Sequence, residues 1–453
     1  MARLFGTDGV RGVANKGLSL EMAMGLGQAI GLYTKQYMGQ QLSRLNTRPR
    51  IIIGKDTRVS GDMLEAALTA GITSVGVDVV QVGVIPTPGV AFLCRHMGFE
   101  AGAMISASHN PVEDNGIKFF DNHGFKLPDE VEDTLELIYK KRDDMERPTG
   151  VEVGRVQINR EMSRIYEDFL VTSVPIRFEG LRVVVDCGFG AAYQMAPKVL
   201  ERLGADVIAL HSLNDGSRIN VKCGSTHTGI LQKEVVVNGA HLGIAHDGDA
   251  DRLIAVDETG RIVDGDQIIT ICGLDLLKRG KLKNNKVAVT VYSNLGVIQA
   301  FRKNHADVVV TANGDRYVLE ALKEQDLVLG GEQSGHIIFL ERNTTGDGIL
   351  TALQLISVLI QSNQKLSELA KQMERFPQVL ENVRVGHKEG WEQNVHIQEA
   401  IQQAETELKD TGRIFVRASG TEPLIRVMAE GPDEAELHKL VKAVTGVIQK
   451  ELG

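Results

Sequence analysis

The chain has 453 residues, 43% hydrophobic and 24% charged, with a formal net charge of −9. That length exceeds what one hydrophobic core organises, so several domains are expected. The negative balance argues against a nucleic-acid or anionic-membrane partner, and any phosphate ligand must be held by local positive groups.

Cys94, Cys187, Cys223 and Cys272 lie far apart with no CxxC pair, which predicts neither a disulfide framework nor a zinc site and suits a reducing cytoplasm. The opening residues MARLFGTDGVRG show no apolar signal-peptide core. The longest apolar stretch, near Ile349 to Ile360, is too short for a membrane span and predicts a buried helix.

In chain order, the first feature is Phe5-Gly6-Thr7-Asp8-Gly9-Val10-Arg11-Gly12, where flanking glycines would let the Arg11 guanidinium approach an anion. It lacks the strand-then-helix setting that a dinucleotide fingerprint requires. Three blocks then share a rhythm of apolar strand, glycine-bearing loop and helix. The first has Arg50 to Gly54 followed by an amphipathic Asp62 to Val75 stretch. The second has Leu181 to Val185, then Cys187-Gly188-Phe189-Gly190, then a predicted helix from Ala191 to Leu203. The third has Lys286 to Val291, a turn at Asn294, and helix. Such alternation predicts three related α/β domains with sheets buried on both faces. A fourth block, from Phe376, predicts a small α+β unit: strands over 412–418 and 424–430, then a helix from Asp433 with Leu437, Leu440, Val441, Val444 and Ile448 at helical spacing. Boundaries are placed at 1–155, 156–260, 261–375 and 376–453.

Four loops carry candidate chemistry. Ser106-Ala107-Ser108-His109-Asn110-Pro111 follows an apolar strand and is, alone, an ordinary turn; a serine nucleophile needs a base or cation, and His109 and Lys118 are the local candidates. In His246 to Arg252, an extended backbone would project Asp247, Asp249 and Asp251 to one side, and three clustered carboxylates call for a hard cation. An EF-hand is excluded because its sixth position, which needs glycine, is Arg252. Gly330 to His336 is a glycine-rich turn in which Glu332 and Ser334 offer groups for sugar hydroxyls. Arg417-Ala418-Ser419-Gly420-Thr421-Glu422-Pro423, with Arg426 following, makes a phosphate cradle.

Together, residues 5–12, 106–111, 247–252, 331–336 and 417–423 resemble the α-D-phosphohexomutase superfamily over essentially the whole chain, and the wording FGTDGVRG, GEQSGH and RASGTEPLIRVMAE resembles its branch that acts on glucosamine phosphates. The resemblance implies an α/β chain of four domains around a central cleft: three related domains with mixed sheets flanked by helices, plus a smaller C-terminal α+β domain. It makes Ser108 the phosphoryl carrier, with one magnesium ion per chain held by Asp247, Asp249, Asp251 and a Ser108 phosphate oxygen. Glu332 and Ser334 would hold sugar hydroxyls, and Arg417, Ser419, Gly420, Thr421 and Arg426 the non-reacting phosphate. Arg11, Lys118, His109 and His336 would surround the transfer site. Also implied are a phosphosugar substrate, glucosamine or glucose 1,6-bisphosphate as activator, a cytoplasmic location and a possible homodimer. The residues themselves leave glucose or mannose phosphates, a sugar phosphatase and a non-catalytic phosphosugar-binding protein as alternatives.

Overall fold

The structure, a computed structural model, describes residues 3–6, 8–38, 48–142, 146–419 and 423–453. Among these the strands form four sheets. The first has six strands in the order β1-β5-β4-β2-β3-β6: β1 (Val10–Val13), β2 (Arg50–Lys55), β3 (Asp78–Val84), β4 (Ala101–Ile105), β5 (Asp114–Asp121) and β6 (Val156–Ile158). β2, β3, β4 and β6 run parallel, and β5 turns back antiparallel along β4. β2 reads as an unbroken apolar run because both faces are covered. Ile51 and Ile53 join Leu26, Leu64 and Leu68 in one core layer. Ile52, equally buried, faces the other way by the strand period of two.

The second sheet holds β7 (Arg182–Asp186), β8 (Asp206–Leu210), β9 (Leu242–Ala245), β10 (Ile254–Asp257) and β11 (Ile262–Val263), in the order β11-β10-β9-β7-β8. The third holds β12 (Lys286–Thr290), β13 (Asp307–Thr311), β14 (Leu329–Gly331) and β15 (Ile337–Phe339), in the order β13-β12-β14-β15. One plan recurs: a parallel strand of the sheet leads through a loop into an antiparallel neighbour. β4 pairs so with β5, β9 with β10, and β14 with β15. The three connections contain Ser108, the aspartate cluster and Glu332–Ser334, so the candidate loops occupy one place in three repeats of a fold.

Two details differ from the sequence reading. The helix expected over Ala191 to Leu203 is Met195–Arg202. Residues 191–194 form a turn instead, with the Ala191 N–H donating to the Gly248 carbonyl at 2.7 Å. The boundary set after residue 155 is crossed by the first sheet, since Val156 pairs with Val79 in parallel register and adds β6 at its edge.

The chain forms two compact units, Met1–Val291 with Val309–Lys371, and Tyr292–Val308 with Gln372–Gly453. In the second unit, β16 (Gln378–Arg384), β17 (Arg413–Ala418) and β18 (Leu424–Glu430) form an antiparallel sheet in the order β16-β18-β17. Its core includes Ile397, Leu408, Val427 and Leu437, with Leu440, Val441, Val444 and Ile448 of the last helix buried as their spacing predicts. Asp433 caps that helix, accepting from the N–H groups of Ala435 and Glu436. Among the described residues, no helix is long and apolar enough to cross a membrane.

Candidate active site

Ser108 leaves β4 in a left-handed conformation, φ +51°, uncommon for a residue with a Cβ. It is buried, and its Oγ donates to Asp247 Oδ2 at 2.6 Å and lies 3.2 Å from His109 Nδ1. Its N–H donates to Ser106 Oγ at 2.9 Å, and its carbonyl accepts from Arg58 at 3.0 Å and Asn220 at 2.8 Å. The loop is thus tied on both sides of the unusual residue. Burial, then the nearby Arg252 and Arg11, lower the His109 pKa to about 4, so its ring is neutral at pH 7.

The aspartate loop corrects the sequence reading. The backbone is a turn rather than an extended run: the Ala250 N–H donates to the Asp247 carbonyl at 3.1 Å, and Ala250 has φ +56°. Turning, not strand alternation, brings one carboxylate oxygen each of Asp247, Asp249 and Asp251 within 4.8 Å of one another, all buried. A Cβ at Gly248 would lie 2.6 Å from the Ser108 carbonyl oxygen, so glycine is what lets the two loops meet. Burial, then Asp251 and Asp249, push Asp247 well above the usual carboxylate range. Asp251 is raised by burial and Asp249. Against burial, the Lys118 ammonium and hydrogen bonds from Thr87 and Lys118 hold Asp249 below that range. Oδ1 of Asp249 and Oδ1 of Asp251 have no hydrogen-bond partner among the described residues. Crowded carboxylates with unpartnered buried oxygens fit a hard cation, so this triad can bind a metal.

Lys118, expected to reach back to the serine loop, instead reaches the aspartates. Its register opposite Met104 on β4 places Nζ 3.0 Å from Asp249, 3.0 Å from Asp8 and 3.8 Å from Asp251. Burial would lower its pKa, but these three carboxylates raise it and keep the ammonium charged. Asp8 also pairs with Arg11 and, at 2.5 Å, with Lys126. Lys126 pairs with Asp315, and His336 Nε2 lies 3.6 Å from Asp315 and 3.8 Å from Asp251. The result is a closed ring of alternating groups: Lys118, Asp8, Lys126, Asp315, His336, Asp251. Beside it lies a cavity of about 160 Å³ whose walls include Phe119, Leu319, Ile338 and Glu132. Asp8, Lys126, Asp315, Thr87, Arg58 and Asn220 were missed in the sequence. Only Asp8, three residues before Arg11 in the glycine-rich segment, carried a local signal.

Glu332 and Ser334 sit half-buried at the tip of the β14–β15 hairpin, Ser334 Oγ donating to Glu332 Oε2 at 3.3 Å. The hairpin docks on the aspartate loop. The Leu253 N–H donates to the Gly335 carbonyl at 3.0 Å, and a Cβ at Gly335 (φ +92°) would stand 2.1 Å from the Leu253 carbonyl oxygen.

In the second unit, Arg417 and Arg426 are direct cross-strand partners on β17 and β18. Two guanidiniums so placed repel unless an anion joins them. Arg417 lies 5.4 Å from the Tyr292 ring centroid, a cation–π distance. Ser419 is buried, and its carbonyl accepts from Lys388 Nζ at 2.6 Å, a cation the sequence reading passed over. Gly420 and Thr421 lie outside the described residues.

A second cluster, Asp186, His211 and Cys223, has metal-ligand residue types within 4.8 Å. Its carboxylate already accepts from the N–H groups of Gly188 and Gly224 and is 2.9 Å from His211 Nδ1. Burial, then Asp186, push the Cys223 thiol up to about 12. These bonds account for the cluster as a staple between loops.

Four family models, described as phosphoglucomutase/phosphomannomutase alpha/beta/alpha domains I, II and III and C-terminal domain, match residues 2–146, 162–260, 264–376 and 380–447. Curated relatives include a phosphoglucosamine mutase of Symbiobacterium thermophilum, 56% identical over 100% of both chains. One of Carboxydothermus hydrogenoformans is 54% identical over 99% of this chain and 100% of its own. Among solved structures, a phosphoglucomutase/phosphomannomutase family protein from Burkholderia thailandensis shares the fold, with TM-score 0.80 at 22% identity over 99% of this chain and 98% of that one. The serine, aspartate and hairpin loops at one place in three repeated sheets and these full-length matches agree: the chain belongs to the phosphoglucomutase/phosphomannomutase family.

Proposed function

We propose that this enzyme interconverts glucosamine 6-phosphate and glucosamine 1-phosphate by way of phosphorylated Ser108. The observation that carries the proposal is the Ser108 hydroxyl 2.6 Å from Asp247, inside a buried aspartate triad. Relatives named for this activity, at more than half identity over full length, support the substrate.

Direct migration of a phosphoryl group along a sugar is prohibitively slow, whereas storage on a serine divides it into two in-line transfers. The 1-hydroxyl of the sugar takes the phosphoryl group as the Ser108 Oγ–P bond breaks, giving an enzyme-bound 1,6-bisphosphate, and the proton of that hydroxyl ends on Ser108 Oγ. The bisphosphate turns around, and its 6-phosphoryl group passes to Ser108 Oγ as the bond to the sugar 6-oxygen breaks. Neutral His109, 3.2 Å from Oγ, is placed to take the serine proton in that return step, and the departing sugar 6-oxygen takes up that proton to become the free 6-hydroxyl. Lys118 and Arg11 offset charge on the transferring oxygens. Magnesium held by Asp247, Asp249, Asp251 and a Ser108 phosphate oxygen would add positive charge there. Glu332 and Ser334 would orient sugar hydroxyls, with His336 beside the transferring group. Arg417, Ser419, Gly420, Thr421 and Arg426 would hold the phosphate that is not moving. Glucosamine or glucose 1,6-bisphosphate would prime Ser108 in the cytoplasm, and the product would enter the synthesis of UDP-N-acetylglucosamine and the cell wall.

The test is isomerisation of glucosamine 6-phosphate against glucose 6-phosphate, with magnesium, a trace of bisphosphate, and inorganic phosphate followed in parallel. Preference for the amino sugar without phosphate release is expected. Equal turnover of glucose 6-phosphate would overturn the substrate, and phosphate release alone would overturn the mutase chemistry.

A further inference from the structure

The main chain of Ser108 is held by two side chains that reach it from different domains. Arg58, with no exposed side-chain surface, pairs with Asp56 at 3.1 Å. Its remaining N–H groups donate to the carbonyls of Ser108 at 3.0 Å, Asn110 at 2.8 Å, Asp114 at 2.9 Å and Pro111. One planar guanidinium therefore spans the whole loop from Ser108 to Asp114, a task for which five donors in a fixed fork are suited. Asp56 closes the circuit. It accepts from Ser106 Oγ at 2.6 Å, and Ser106 Oγ accepts from the Ser108 N–H.

Asn220 comes from the second α/β domain and donates to the same Ser108 carbonyl at 2.8 Å. It stands at φ +61°, a conformation Asn tolerates. Between Asp56 and Arg58, Thr57 Oγ1 donates to the Phe189 carbonyl of the second domain at 2.5 Å. A Cβ at Gly216 would lie 1.8 Å from the Thr57 carbonyl oxygen, so the seam is closed tightly here. The tripeptide Asp56-Thr57-Arg58 thus grips the serine loop with its outer residues and the second domain with its middle one.

We propose that Arg58 and Asn220 are positioning residues that hold Ser108 in its left-handed conformation, aim its Oγ at Asp247, and make the geometry of the phosphoryl carrier conditional on the seam between the first two α/β domains. The inference rests on Ser108 being the carrier. Without the two donors, the disfavoured φ of Ser108 has less to oppose its relaxation, and Oγ leaves the aspartate triad. Sugar recognition by the β14–β15 hairpin is untouched, so the loss falls on the transfer steps rather than on binding.

Two variants test this. Asn220→Gly keeps a residue that accepts positive φ and deletes only the amide. Arg58→Lys keeps a cation beside Asp56 but cannot span four carbonyls. The readouts are kcat, KM, the rate of Ser108 phosphorylation by sugar 1,6-bisphosphate followed by mass spectrometry, and the melting temperature. The expected result for Asn220→Gly is about a tenfold or greater fall in both kcat and phosphorylation rate, with KM changed less than about twofold and melting almost unaltered. Arg58→Lys is expected to lose more; should it fail to fold, Asn220→Gly decides. An unchanged phosphorylation rate in Asn220→Gly, or a raised KM with kcat intact, would overturn the clamp. Native enzyme that forms no phosphoserine at residue 108 would instead overturn the carrier reading beneath it.

Discussion

The β4–β5 loop of the first domain and the β14–β15 hairpin of the third occupy the same place in related sheets, yet they are finished differently. In the first, Ser108 is buried and bonded on every side: Arg58 and Asn220 donate to its carbonyl, Ser106 Oγ accepts from its N–H, and its hydroxyl donates to Asp247. The second presents Glu332 and Ser334 half-buried, joined to each other by a 3.3 Å bond. Under the proposed function, the contrast follows the work each would do. A serine that makes and breaks a P–O bond loses rate steeply with small misplacement. Side chains that must grip a sugar in two orientations have to exchange partners between them.

The sharpest break in that comparison is Ser108→Ala. Turnover should fall by about three orders of magnitude or more, while glucosamine 6-phosphate binding measured by calorimetry persists. Retained turnover would remove the distinction between the loops. Next is Asp249→Asn, which takes an oxygen ligand from the triad and a partner from Lys118 at 3.0 Å. Magnesium affinity measured by titration should weaken by more than about 100-fold, and unchanged affinity would place the cation elsewhere. On the other loop, Ser334→Ala should cost about 1 kcal/mol of sugar binding, read as a several-fold rise in KM with the phosphorylation rate of Ser108 preserved. A fall in that rate instead would show that the hairpin, too, sets transfer geometry.

Away from both loops, a pH dependence of stability is expected at the cavity beside the charged ring, with no effect on the transfer step. Burial raises the Glu132 carboxyl from its usual 4.5 to about 7, against the pull of Arg3. The folded state therefore favours the protonated form. The resulting stability is full below about pH 4.5 and declines as pH rises through 7. Glu132→Gln should flatten that decline in urea unfolding midpoints from pH 4.5 to 7.5, and parallel profiles for the two proteins would contradict it.

The three α/β repeats were legible because strands buried on both faces read as unbroken apolar runs, as in Ile51-Ile52-Ile53. The serine, aspartate and glycine-rich loops were legible because their chemistry is written in consecutive residues. The shape of the aspartate loop was not: alternate aspartates suit a strand and a turn alike, and nothing local announces that Ala250 adopts φ +56°. Lys126 and Asp315 meet only when the first and third domains fold together, 189 positions apart in the chain. Arg58 and Asn220 were invisible for the same reason, since each acts on a carbonyl that any residue at position 108 would carry.

The most direct test of the central claim is a chase. Enzyme carrying labelled phosphate on Ser108 is mixed with unlabelled glucosamine 6-phosphate and magnesium, and the label is followed. The label should pass to glucosamine 1,6-bisphosphate and then to glucosamine 1-phosphate. Label released as inorganic phosphate, or retained on the protein during turnover, would contradict it.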